Sequence, residues 1–135
     1  MIRTLAILAV LAIAAPSSAQ LAKPVRLKAE EAKKALFGVD LEGYSPTEGI
    51  EWRECIQPDG QTLYEIPKRV LKGKLRISKE GQACFSYDDT NYEVEGCFWV
   101  EKTQTGFQFV SSGSLFVTTV IVTGVKSCKP EALVS

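Results

Sequence analysis

The chain has 135 residues, 16 of them basic and 16 acidic, with no histidine and four cysteines. The charge balance excludes a general nucleic-acid binder, and the missing histidine excludes mechanisms built on an imidazole base or ligand. A chain of this size makes one domain that buries about two-thirds of its unfolded surface.

The first predicted element is an export signal at residues 1–19. Arg3 supplies the positive start, residues 5–15 are an unbroken apolar run, and Ser17, Ser18 and Ala19 form a small-residue cleavage site. The run is too short to cross a bilayer, and no later segment reaches the ~20 apolar residues that a spanning helix needs. Cleavage after Ala19 leaves a single periplasmic or secreted domain at 20–135, in which 15 basic residues face 16 acidic ones.

Residues 20–27 read as an extended lead-in containing Pro24, and a helix follows at 28–37. Ala29, Ala32, Ala35 and Leu36 recur at spacings of three and four, and Gly38 terminates the segment. Glu30 and Glu31 near its start and Lys33 and Lys34 near its end suit the helix dipole. From Glu51 onward the pattern changes to short β-type runs divided by turn residues. Strands are predicted at 51–56, 61–66, 70–78, 83–87, 92–101, 107–111 and 115–125, with tight turns at Pro58-Asp59-Gly60 and at 88–91. The fold class is therefore mainly β: about seven antiparallel strands in a barrel or strongly curved sheet, with one N-terminal helix. Tyr92, Val94, Phe98 and Val100 alternate with polar or charged residues, so one face of that strand is a core face. The last strand is apolar on both sides. Its outer side needs cover, from the helix or from a second subunit in a homodimer.

Four cysteines in an exported chain most often make two disulfides, and their spacings of 29, 13 and 31 residues do not suit a structural zinc site. With the turn at 88–91, Tyr87 faces Tyr92 and Cys84 lies one pleat from Cys97 on the same side. A bulge or a loop two residues longer brings the two sulfurs opposite, which favours Cys84 with Cys97 and leaves Cys55 with Cys128. On the chain-entropy account these bonds contribute roughly 3 and 4.5 kcal/mol.

The segment KAEEAKKALFG at 28–38, the hairpin QPDGQTLY at 57–64, and CFSY at 84–87 with CFWV at 97–100 resemble small exported proteins of alphaproteobacteria grouped as a domain of unknown function. The resemblance covers about residues 28–109 and implies an N-terminal helix followed by a lipocalin-like antiparallel barrel. The chain departs from that pattern by carrying GKLRI at 73–77 where a tryptophan often follows the glycine, and by adding Cys55 and Cys128. It brings no catalytic residues with it.

Two constellations are candidate sites. Lys72, Lys74 and Arg76 alternate with Gly73, Leu75 and Ile77, which places three cations on one strand face as an anion-docking ridge. The plainer reading is a solvated edge strand, or pairing with Glu93 and Glu95 on a neighbouring strand. Phe85, Tyr87, Tyr92 and Phe98 share inward parity and would line an apolar ligand pocket if the barrel were hollow, although a filled core is the expectation for so small a chain. Glu51, Glu54 and Glu65 read as strand-surface charge. No catalytic residues, metal ligands or cofactor are expected. The leading functional reading is a non-enzymatic exported domain that binds an envelope component or another protein. The alternatives are a lipocalin-like carrier of a small hydrophobic ligand and a lysozyme-inhibitor-like protein, the latter only faintly echoed at Ser112-Gly113-Ser114.

Overall fold

Nine strands and one helix follow one another along the chain: β1 (Val25–Arg26), α1 (Ala29–Leu36), β2 (Val39–Ser45), β3 (Ile50–Ile56), β4 (Gln61–Ile66), β5 (Arg69–Ile77), β6 (Gln82–Asp89), β7 (Tyr92–Lys102), β8 (Phe107–Ser111) and β9 (Ser114–Thr123). The computed structural model describes residues 13–15, 22–89 and 92–130. The expected export signal and its cleavage site lie outside the described residues apart from 13–15. Strands β2 to β9 pair antiparallel in sequence, and β9 returns to β2, so eight strands close into a barrel. β1 is a short addition on β7.

The eighth barrel strand is β2, which the sequence reading left unassigned. Asp40, Glu42, Gly43 and Ser45 give it a poor strand composition. Its inward positions are Val39, Leu41, Gly43 and Ser45, all buried. At Gly43 the β2–β9 register shifts by one residue. A Cβ there would lie 1.9 Å from the Val117 carbonyl oxygen and 2.7 Å from the Trp52 ring, so only glycine fits beneath that indole.

The β6–β7 hairpin corrects the predicted register. Tyr87 pairs with Val94 rather than Tyr92, because Asp88 and Asp89 continue the ladder opposite Glu93 and Tyr92 instead of forming the turn. That two-residue change sets Cys84 directly opposite Cys97. Both expected disulfides are present, Cys84–Cys97 and Cys55–Cys128.

Helix α1 begins where the Lys28 amide donates to Glu31 Oε2 at 2.7 Å, and it ends before Gly38, whose φ of 77° is left-handed. It packs on β5 and β6 with Ala32 and Leu36 fully buried. Leu36 joins Val39, Leu41, Ile56, Leu75, Ala83 and Val100 in one apolar cluster, which fills the barrel end nearest the helix. α1 therefore does not cover the outer side of β9, contrary to the expectation. Val120 and Val122 remain about half exposed there, beside Tyr44 of β2.

After β9 the chain turns back over the outer face of β3, where Arg53 donates to the Lys129 carbonyl. The Val125 amide donates to the Gly38 carbonyl, the Cys128 amide to Gln57 Oε1, and Cys128 is bonded to Cys55. This tail lies over a buried ionic group on the outer wall. Arg53 donates to both carboxylate oxygens of Asp40, at 2.9 and 2.5 Å, and its other terminal nitrogen lies 3.2 Å from Glu65. Asp40 and Glu65 together hold the guanidinium in its charged form against the effect of burial.

A candidate ligand pocket in the barrel interior

Inward-facing residues alternate along every barrel strand, so successive positions build layers from the helix-capped end upward. Above the layer of Leu41, Ile56, Leu75 and Val100, the layer built by Trp52, Glu54, Tyr64, Phe85, Tyr87, Phe98, Phe109 and Phe116 does not meet in the middle. It encloses a cavity of about 120 Å³, open to solvent at the end opposite α1. Trp52, Phe85 and Phe109 belong at the same time to the buried apolar cluster, so the cavity adjoins a packed core. Tyr87 lies against Gly73, and Trp52 lies against Gly43. Trp52, Phe116, Phe98, Phe85 and Phe109 make a ring of edge-to-face contacts with centroids 5.6–6.3 Å apart. Tyr64 and Tyr87 stack at 5.1 Å.

One group in this lining is acidic. Glu54 is 4 % exposed, and the Tyr87 hydroxyl donates to its Oε2 at 2.5 Å. Its Oε1 is buried with no hydrogen-bond partner among the described residues. Burial pushes the Glu54 carboxyl up to about 8, against the opposing pull of the Tyr87 and Thr62 hydroxyls. Burial, the nearby Glu54 charge and the charge of Glu48 in turn push the Tyr64 hydroxyl up to about 12. Tyr87 is raised well above its ordinary value, chiefly by burial, so both phenols keep their protons at neutral pH. The cavity is therefore an aromatic box with one carboxyl in its wall, and the Trp52 indole nitrogen in the same wall likewise has no hydrogen-bond partner among the described residues.

Of the four predicted pocket residues, Phe85, Tyr87 and Phe98 line this cavity. The side chain of Tyr92 lies outside the described residues. Sequence reasoning missed Trp52, Glu54, Tyr64, Phe109 and Phe116. A signal for Glu54 was present, because it shares the parity of Trp52 and Ile56 and must face the same way.

The predicted anion ridge sits where it was placed, with Lys72, Lys74 and Arg76 exposed on the outer face of β5. Arg76 is ion-paired to Glu95 of β7, reaching across β6, which takes one of the three charges out of the ridge. Cys84, Glu95 and Cys97 bring potential metal ligands within 4.8 Å of one another, but both sulfurs are joined in the disulfide. The glutamates read as surface charge divide: Glu51 is exposed, Glu65 faces outward beneath the tail with Arg53, and Glu54 alone of the three faces the cavity. No helix among the described residues is long and apolar enough to cross a membrane.

No family model matches the chain, and none of the curated proteins or solved structures compared with it does.

Proposed function

We propose that this chain is an exported, disulfide-braced barrel that binds one small, largely aromatic or apolar molecule in the cavity over Glu54. The observation that carries this reading is the aromatic box itself. Seven aromatic side chains and one carboxyl border about 120 Å³ of space, and Glu54 Oε1 and the Trp52 indole nitrogen in this lining are without hydrogen-bond partners among the described residues. A dry cavity of ~150 Å³ lined by apolar side chains takes a benzene ring, so a ligand of about one ring fits here. Few polar groups in an apolar concavity is the usual make-up of a small-molecule site. Export is supported by the apolar N-terminal run with its small-residue site and by two disulfides in a chain without free cysteine.

Binding is favoured over catalysis because the nearest acids on β3 and β4, Glu51 and Glu65, face away from Glu54. The ligand reading also displaces macromolecular docking through β5, whose Arg76 is already engaged by Glu95. Calorimetric titration of the exported protein with toluene and with benzyl alcohol tests the proposal. Saturable binding that Phe98→Trp abolishes by filling the cavity supports it. Absence of binding to both compounds, with the protein folded, overturns it.

A further inference from the structure

We infer that the ligand of this pocket is a small organic cation, an amine or quaternary ammonium compound, with its charge on Glu54 and its hydrocarbon parts against the aromatic walls. The inference rests on the pocket reading above and deepens it. A neutral ligand would need only the box, whereas the box holds a carboxyl.

The geometry of Glu54 is that of half an ion pair. The side chain is almost wholly buried in the cavity wall, Oε2 is held by Tyr87, the Thr62 hydroxyl also acts on the carboxyl, and no cation is paired with it among the described residues. A buried carboxylate is costly unless a positive charge or several donors meet it. Among the described residues the barrel supplies no such charge inside. From β4 it is faced by Thr62 and Tyr64 and from β6 by Tyr87, while β7, β8 and β9 contribute Phe98, Phe109 and Phe116. Leu41 and Gly43 stand on the β2 side, and Gly73 and Leu75 on the β5 side. The negative field of Glu48 in the β2–β3 turn reaches Tyr64.

The walls supply the second half of the argument. The faces of Trp, Tyr and Phe rings attract cations, by about 0.5–1 kcal/mol at exposed sites and about 2 or more where water is excluded. Rings set around a carboxylate therefore meet a buried ammonium group from both sides, through charge and through π faces. Gln at position 54 would serve a neutral ligand equally well. Glutamate adds a charge that forms only when a cation arrives.

That last property sets the proton balance. In the empty barrel the carboxyl holds its proton through neutral pH, as its burial requires. A cation entering the cavity displaces that proton, which passes to solvent, and a carboxylate–ammonium pair remains. Affinity for the cation should therefore rise close to tenfold per pH unit below about 8 and level off above it. A neutral ligand that accepts a hydrogen bond from the protonated carboxyl should show no such rise and should weaken above the same pH.

Tetramethylammonium chloride and tert-butyl alcohol, near-matched in size and differing in charge, are the probes. Calorimetric titration of the exported protein with each at pH 6, 7 and 8 should give saturable tetramethylammonium binding that tightens about tenfold from pH 6 to 7 and about fivefold from pH 7 to 8. Repetition in buffers of different ionisation enthalpy should report release of nearly one proton at pH 6.5. Glu54→Gln should weaken the cation at least tenfold at pH 8 and remove its pH dependence. Binding of toluene and tert-butyl alcohol but not of tetramethylammonium overturns the cation inference and leaves the pocket reading standing. Binding of none of the three overturns both. Tetramethylammonium binding that survives Glu54→Gln unchanged overturns the role given to the carboxyl.

Discussion

Tyr87 on β6 donates its phenolic hydrogen to Glu54 Oε2 on β3, joining two residues that are three strands apart around the barrel wall. The bond fixes one oxygen of the carboxyl, and the other is buried without a hydrogen-bond partner among the described residues. Folding raises this carboxyl from its ordinary 4.5 to about 8, chiefly by removing it from water. The folded chain therefore holds the proton more tightly than the unfolded chain between those two values. The contribution is full below about pH 4.5 and is lost as pH rises toward 8, at up to roughly 1.4 kcal/mol per pH unit. Urea unfolding across pH 5 to 9 should show this decline, and Glu54→Gln should remove it. A wild-type slope that persists in Glu54→Gln would assign the effect to another group.

Tyr87→Phe removes the donor and leaves both carboxyl oxygens wanting. The expected cost is about 1–3 kcal/mol, the penalty for stranding a buried acceptor. Because the Tyr87 bond lowers the Glu54 pKa, the carboxyl should titrate still higher in the variant. Carbon-detected NMR of the Glu54 carboxyl across pH reads this directly.

The two disulfides should differ in what they hold. Replacing Cys84 and Cys97 together by serine should cost roughly 3 kcal/mol, and replacing Cys55 and Cys128 roughly 4.5. The second pair also ties down the tail, so its loss should speed hydrogen exchange at the Val125 amide, which donates to the Gly38 carbonyl. Equal exchange in the two variants would mean that the tail is held by its hydrogen bonds rather than by the cross-link.

Arg53→Ala should destabilise the fold by about 3–5 kcal/mol, because the buried Glu65 carboxylate loses its ion pair and Asp40 loses a two-point partner. Arg53→Met, which keeps most of the side-chain volume, should fare little better if charge rather than packing is the cause. Denaturant midpoints of the two variants separate these contributions.

Gly43→Ala places a methyl group into the Val117 carbonyl and the Trp52 ring. It should shift Trp52 into the cavity, destabilise the barrel by about 1–3 kcal/mol and reduce ligand binding, as circular dichroism melts and titration would report.

The same glycine explains what the sequence hid. Helix α1 was legible because alanine spacing, acidic start and glycine stop all agree, and most strands were legible because β-branched and aromatic residues lie between marked turns. β2 was not, since its barrel role requires Gly43 beneath Trp52 and its outward positions are acidic. The disulfide partners followed from strand parity even though the hairpin register was two residues off, because a shift of two preserves the face. Glu54 was obscured by Arg53 and Cys55, whose burial comes from the tail and not from the barrel interior. The cavity was invisible for a different reason. Whether inward rings meet in the middle depends on how many strands close the barrel, and one of those strands had not been counted.

The measurement that tests the ligand-binding account most directly is an amide NMR titration of the exported protein with toluene and with tetramethylammonium. The account predicts saturable shifts centred on the strand segments that carry Trp52, Glu54, Phe98, Phe109 and Phe116, with the outer face of β5 at Lys72 and Lys74 unmoved. Shifts confined to the outer faces of β5 or β9, or none at saturating concentrations of both compounds, would contradict it.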